Sequence, residues 1–371
     1  VAWTEPRYKR KEVDRAAELL ASGKKYQPEE VDQALIVIGN WRAAHAFPLN
    51  TFQMGLRQAA QKVQAGALIA QRLKRLPTML DKLRRMPKTT LTRFQDIGGC
   101  RAVVINLGQV LELRDRYRRS RMKHKLVRER DYIAAPRASG YRCIHLVYRY
   151  SGRAGSAYDG LQIEIQLRTR LQHAWATAVE TVGTMLKQSL KSSEGSTDWL
   201  RFFALVGSAF AFVERTRAVP ETPSSPASLA SEIKRLQAKL KVRGALDTYR
   251  HALKATEQQG KGESALYLLS LDPAAKQLTV TAFGTGEIAA ATDAYAEAER
   301  QLASHPGAQV VLVGSRSLAA LRKAYPNYFL DTELFLSQLD RALRRLEAAT
   351  AWPRIAHPVP GKGSLVQGEL W

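Results

Sequence analysis

The chain has 371 residues, 45% of them hydrophobic, enough to bury a full core and to hold more than one structural unit. Its 57 Lys and Arg against 34 Asp and Glu give a formal net charge of +23, which suits a polyanionic partner such as nucleic acid and exceeds what a free nucleotide requires. Cys100 and Cys143 are the only cysteines, no apolar run reaches the roughly 18–20 residues of a membrane span, and the segment Val1–Arg10 has no signal-like apolar core. A disulfide framework, a zinc site and a membrane protein are thereby set aside, and a cytoplasmic location is expected.

Residues 10 to 22 are expected as a short basic helix, and Lys9, Arg10 and Lys11 at its start are either solvated charges or nucleic-acid contacts. Val31, Ala34, Leu35, Ile38 and Trp41 have helical spacing. Asn50-Thr51 is read as the cap of a long helical segment reaching Leu73. Pro77 then starts a new helix, on which Thr78 and Lys82 share a face. With Arg72 and Lys74 they form a cationic wall suited to a triphosphate, although a solvated helix face has the same composition. Phe94 to Ile105 is a turn leading into an apolar strand, with Asp96 before a Gly pair and Arg101 at the strand's start. Read alone, Asp96 could simply cap this turn and pair with Arg101.

Leu111 to Arg130 is the most basic stretch, and Arg116, Arg119, Arg121, Lys123 and Lys125 are its candidate polyanion-docking residues. It runs into the centre of the chain, Asp131 to Glu180. There Ser139-Gly-Tyr141 is a turn feeding an alternating strand with His145, and the loop Ser151 to Asp159 is Gly/Ser-rich and expected to be mobile. Gly160 to Thr169 alternates Leu161, Ile163, Ile165 and Leu167 with Gln162, Glu164, Gln166 and Arg168, a half-buried strand with a polar row. The two strands are expected to bring Tyr141, His145, Glu164 and Arg168 onto one surface. Leu171 to Met185 and Trp199 to Arg215 read as helices, with Trp175 in the core.

Val219 to Pro226 is the clearest linker, followed by a long basic helix from Leu229 to Thr256. After residue 260 the pattern is a ββαβα unit with a hairpin at Asp272 to Lys276, and it has neither a metal-ligating cluster nor a phosphate loop. The expected domains are thus 1–218, a linker and helix at 219–260, a regulatory unit at 261–350 and a tail at 351–371.

Asp96 and Glu164 can together hold a Mg²⁺ that also binds nucleotide phosphates. Arg72, Lys74, Lys82, Arg101 and Arg168 can orient those phosphates. Glu164 can accept the proton of an attacking hydroxyl, and Tyr141 can stack on a base. No Walker A or kinase glycine loop is present.

Arg72-x-Lys74, Asp96-Ile-Gly-Gly-Cys-Arg101, Arg130-Asp-Tyr-Ile133, Gly140-Tyr-Arg-Cys-Ile-His145 and Glu164-Ile-Gln-Leu-Arg-Thr169 with His173-Ala-Trp-Ala176 stand in the order of the RelA/SpoT synthetase domain, which residues 70–180 resemble. The resemblance implies an α+β fold, a mixed β-sheet flanked by helices and related to nucleotidyltransferases. It also implies transfer of the β,γ-pyrophosphate of ATP to a ribose 3′-hydroxyl, with Mg²⁺ as cofactor. Asp96 and Glu164 would be its metal and catalytic carboxylates, Arg72, Lys74, Lys82 and Arg101 would face ATP, and Tyr141, His145 and Arg130 would meet the acceptor. Pro136-Arg-Ala-Ser139, Cys143 and Val179-Glu180 depart from the family's pattern on the acceptor side. No paired His-Asp hydrolase segment follows, so alarmone breakdown is not expected.

The layout also resembles the fused toxin-antitoxin members of the family, the CapRel type. That likeness implies a toxin acting on the 3′-CCA end of tRNA, held inactive by its C-terminal domain and released by a phage capsid protein. The Tyr-x-x-Tyr of such domains matches Tyr325 and Tyr328, which are either two aromatic core residues at a helix end or, as Pro326 and Asn327 suggest, part of an exposed turn. The alternatives are a (p)ppGpp or (p)ppApp synthetase and a non-catalytic RNA-binding protein. A monomer is expected.

Overall fold

The structure is a computed structural model, and it describes residues 3–186, 196–246, 254–258, 264–272, 275–284, 286–302, 305, 308–314, 319, 321–322, 325, 329 and 332–355. In chain order the elements are α1 (Arg10–Ala21), α2 (Pro28–Ala44), α3 (Ala46–Val63), β1 (Leu68–Leu73), α4 (Leu76–Arg85), β2 (Gly98–Val104), α5 (Leu107–Arg118), β3 (Lys125–Asp131), β4 (Ile144–Arg149) and β5 (Gln162–Thr169). They continue as α6 (Arg170–Leu186), α7 (Thr197–Glu214), α8 (Pro226–Lys239), β6 (Lys254–Gln258), β7 (Ser264–Asp272), β8 (Gln277–Gly284), α9 (Ile288–Gln301), β9 (Gln309–Gly314) and α10 (Glu333–Glu347). No helix among the described residues is long and apolar enough to cross a membrane.

Packing divides the chain into two units. The first takes Val1–Arg130, His145–Arg168 and His251–Phe329. It is built on a nine-stranded sheet in the order β3-β4-β5-β2-β1-β9-β7-β8-β6. The sheet is mixed: β1 runs antiparallel to β2 and β9, β7 antiparallel to β8 and β9, and β6 parallel to β8. The α+β class with a mixed sheet and flanking helices is therefore as expected. The ββαβ order after residue 260 is present too, but its strands extend the same sheet, with Val313 of β9 opposite Arg72 of β1.

Several elements differ from the expectation. Helix α3 begins at Ala46 and stops at Val63, where Gln64 turns extended (φ −154°). Thr51 is inside it, bonding back to the Phe47 carbonyl at 3.2 Å, so Asn50-Thr51 is no cap. Leu68–Leu73 is a strand because it can pair with β2 along its whole length, from Leu68 opposite Val103 to Leu73 opposite Gly98. The basic stretch is not one element: α5 ends at Arg118, and Lys125, Arg128 and Arg130 lie on β3. The expected helix from Leu229 to Thr256 breaks after α8, where Lys241 adopts a left-handed φ of 48°, and residues 254–258 form a strand instead. The Gly/Ser loop is pinned, with buried Tyr158 packing on Phe47 at 4.6 Å between ring centroids and donating to the Trp3 carbonyl at 3.2 Å.

The second unit takes Asp131–Ile144, Thr169–Arg250 and Leu330–Trp371. Its centre is α7, whose Trp199, Phe202, Phe203 and Phe210 are buried against side chains of α6, α8 and α10. Trp175 is in this core, as its spacing predicts. The expected linker at Val219 to Pro226 is packed rather than free. Val219 is buried and its N–H donates to Ser208 Oγ at 2.8 Å, while Thr222 meets the same hydroxyl at 2.6 Å.

Candidate active site

The donor side grows from the β1–α4 turn and the turn before β2. The Lys74 N–H donates to the Ile97 carbonyl at 2.7 Å, which ties the two turns together. Pro77 lies in the first turn of α4, pre-set for a helix start, and that helix presents Lys82. Lys74 Nζ then reaches Asp96 Oδ2 at 2.5 Å and Lys82 Nζ reaches Oδ1 at 3.1 Å. Among the described residues, Asp96 pairs with these lysines and not with Arg101. Lys82 also lies 4.4 Å from the centroid of the Phe94 ring, a cation–π contact.

Burial is the largest influence on Asp96 and opposes its charge, but the two ammonium groups outweigh it and hold the carboxyl well below the usual carboxylate range. Lys74 is pulled down from its ordinary value, first by burial and then by Lys82 and Arg72, against the pull of Asp96. Arg72 stands opposite Gly99 and Ala70 opposite Arg101, so Arg72 and Arg101 share one face of the sheet. At Gly98 the strands approach closely, and a Cβ there would lie 2.6 Å from Ile163 Cδ1 of β5, so that side chain would have to shift.

Strand β5 has the alternation that its sequence predicts. Ile163, Ile165 and Leu167 are fully buried, and Gln162, Glu164 and Gln166 form the partly exposed row. Glu164 Oε1 meets His145 Nδ1 of β4 at 2.8 Å, and Gln166 Nε2 donates to Oε2 at 2.5 Å. Burial works against the Glu164 charge, yet His145 and Gln166 leave its pKa below the ordinary value, while Asp96 is near enough to raise it. Arg168 is buried and donates to Gln166, so its visible role is to hold this row. The sequence reading gave Gln166 and Phe94 no role, although both lie inside the motifs that carry Glu164 and Asp96.

Not every expected residue gathers here. Tyr141 belongs to the second unit, buried edge-on to Trp175 with ring centroids 6.2 Å apart. Arg130 is on β3, half-buried. Lys9, Arg10 and Lys11 open α1 at the surface, with Arg10 lying 5.8 Å from the Trp41 ring. Arg116 pairs with Glu112 at 2.8 Å, which reduces its offer to a polyanion, while Arg119, Arg121, Lys123 and Lys125 are exposed. Tyr325 is not in an exposed turn: it is 1% exposed, its ring lies 4.8 Å from the Arg101 guanidinium, and its hydroxyl donates to the Gln71 carbonyl. Tyr328, with Pro326 and Asn327, lies outside the described residues.

Two carboxylates thus stand among cationic partners, Asp96 in the turn before β2 and Glu164 on β5, two strands that are neighbours in one sheet. Residues 71–183 match the family described as a region found in RelA / SpoT proteins. The matched segment holds every donor, acceptor and metal candidate named above. A curated relative, GTP pyrophosphokinase YjbM of Bacillus subtilis (strain 168), is 33% identical over 108 residues, covering 29% of this chain and 51% of its own. The chain therefore spans about half the length of that relative. Among solved structures, small alarmone synthetase 2 from Bacillus subtilis has a TM-score of 0.40 at 17% identity, covering 47% of this chain and 92% of its own. Small alarmone synthetase 1 from the same organism, bound to AMPCPP, has a TM-score of 0.35 at 16% identity, covering 50% and 92%.

Among the described residues no three His, Cys, Asp or Glu side chains form a metal-ligating cluster. Asp96 and Glu164 nonetheless fit a magnesium ion. Mg²⁺ is commonly held by one or two carboxylates with phosphate and water completing the shell. Both carboxyls here are hard oxygen donors kept ionised, and cationic or N–H groups already sit on all four of their oxygens.

Proposed function

We propose that the chain is an ATP-dependent pyrophosphotransferase that moves the β,γ-pyrophosphate of ATP to a ribose 3′-hydroxyl, with the 3′-CCA end of tRNA as acceptor. One observation supports the transfer chemistry: the Asp96 carboxylate is paired with Lys74 and Lys82, and the Glu164 carboxylate with His145. In this reading Lys74 and Lys82 leave Asp96 for phosphate oxygens when ATP enters, and Arg72 and Arg101 complete the phosphate wall. The 3′-hydroxyl oxygen bonds to the β-phosphorus, the bond from that phosphorus to the α-bridging oxygen breaks, and AMP departs with the bridge. Glu164, oriented by His145 and Gln166, takes the hydroxyl proton. Arg168 steadies Gln166, Tyr141 stacks on the acceptor base and Arg130 supports the acceptor side. Magnesium, held by Asp96 and Glu164, would neutralise charge on the phosphates.

The net charge of +23 supports a nucleic-acid acceptor, with the start of α1 and residues 116–125 as docking surface. The second reading is a (p)ppGpp or (p)ppApp synthetase, favoured by the relative named as a GTP pyrophosphokinase. Incubation with γ-labelled ATP and either uncharged tRNA or free GDP, GTP and ATP separates the two: label on tRNA is expected, and label on free nucleotides alone overturns the tRNA acceptor. If Glu164→Gln transfers as well as the parent, the chemistry assigned to it fails. Equal toxicity of the two chains favours the RNA-binding alternative.

Tyr325 stacked on Arg101 supports a further part of the reading, in which the C-terminal segment holds the donor side closed. Closure is a two-state equilibrium, and a ligand preferring the open state, a phage protein by the CapRel likeness, shifts it. Tyr325→Ala is expected to raise transfer and stop growth. A folded, abundant and harmless variant with unchanged activity counts against it.

A further inference from the structure

Arg142, directly after Tyr141, is buried together with a second charged group, Glu214. The Arg142 and Glu214 side chains are only 2% and 7% exposed, and Nη2 of Arg142 donates to Glu214 Oε2. The Nη1 group donates to the Gly207 carbonyl at 3.1 Å. Glu214 Oε1 accepts from the hydroxyl of Thr169, the last residue of β5, and Oε2 also accepts from Gln172 Nε2 at 3.1 Å. One carboxylate at the end of α7 therefore gathers the loop behind Tyr141, Thr169 and the first turn of α6.

The backbone packs to match. Gly140 has φ +91°, and a Cβ on Gly207 would lie 2.7 Å from Gly140 Cα. Trp175, against which Tyr141 sits, donates Nε1–H to the Phe203 carbonyl at 2.9 Å. Burying an ion pair is commonly no better for stability than burying an apolar pair of the same volume, so stability gives this one little reason to exist. It does supply direction, because a guanidinium held at two nitrogens has one orientation.

We propose that Glu214 is a positioning residue for the acceptor: by clamping Arg142 it fixes the loop that carries Tyr141. The proposal rests on Tyr141 meeting the acceptor, and its test separates the two. Arg142→Met with Glu214→Leu replaces the pair by apolar groups of similar volume, which is expected to keep the full chain folded and its melting temperature near the parent's. Transfer from γ-labelled ATP to uncharged tRNA and to GDP is measured in the full chain, alone and with Tyr325→Ala. The double variant raises the acceptor KM about tenfold or more with the ATP KM unchanged, since small misplacements of a bound group are costly. Equal rises in both KM values, or parent-like acceptor kinetics in the folded double variant, overturn it.

Tyr141→Ala is run beside it. A raised acceptor KM in Tyr141→Ala with none in the double variant sinks the clamp alone. No change in Tyr141→Ala sinks the acceptor reading first. If the double variant does not fold, Glu214→Gln gives the same readout, as it keeps the shape and removes only the charge. A measurement independent of turnover is the ¹⁹F resonance of 3-fluorotyrosine at position 141, identified by its loss in Tyr141→Phe. The clamp variants broaden or split this resonance, and a resonance identical to the parent's overturns the proposal.

Discussion

At Asp96 two ammonium groups share one carboxylate, so a change there acts on charge and on stability together. In Asp96→Asn, Lys74 and Lys82 keep their place but lose the charge that offsets their burial. The expected outcome is loss of transfer together with about 1–3 kcal/mol of stability. Denaturant titration of the full chain checks this; an unchanged midpoint would mean that the lysines find other partners. Asp96 and Glu164 are legible in the sequence because each stands in a short motif beside a turn or in a period-two row. Glu214 is not legible, since a lone acid at the end of an apolar helix has no pattern, and its partners Arg142 and Thr169 are 72 and 45 residues away in the chain.

Among the elements, β5 is read from its alternation but β1 is not, because Leu68, Ile69 and Leu73 satisfy a helical spacing as well as a strand's. Only the partner strand β2 decides between them, and partners at long range are not in the local pattern. The α2–α3 junction offers a test of pH dependence. His45 is buried, bonds the Trp41 carbonyl through Nδ1 at 2.8 Å, and has a pKa pushed from its ordinary 6.5 down to about 4, by burial first and Arg10 in addition. The unfolded chain therefore takes up this proton first. The stabilisation from His45 is complete above pH 6.5 and is lost as pH falls from 6.5 through about 4, amounting to about 3 kcal/mol at about 1.4 kcal/mol per pH unit. In His45→Phe the slope of stability over that window flattens, as measured by urea titration at several pH values. On α7, Gly207→Ala reverses a familiar sign. Alanine normally favours a helix by about 1 kcal/mol over glycine, yet here its Cβ would lie 2.7 Å from Gly140 Cα. The variant is expected to melt lower than the parent, and a higher melting temperature would mean that the Gly140 loop can retreat.

For the whole molecule, the sequence reading foresees a toxin domain that ends before residue 219 and a separate regulatory sheet. Packing instead puts residues 251–329 in the same unit as β1, with β9 paired beside it. A fragment ending at residue 250 would leave β1 as an open edge carrying Leu68, Ile69 and Leu73, and open apolar edges recruit other chains. The expected outcome is that this fragment aggregates while full-length Tyr325→Ala stays soluble, as size-exclusion chromatography would tell. A soluble monomeric fragment would mean that β1 has another cover.

Tyr325 and Arg101 lie on one polypeptide. If the proposed closure holds, blocker and blocked residue are therefore present in a ratio of one to one whatever the level of synthesis. Dilution by cell growth does not loosen the contact, and turnover cannot remove one member and spare the other. A competitor for that face of Arg101 has to contend with a tethered ring, whose effective concentration is of millimolar order.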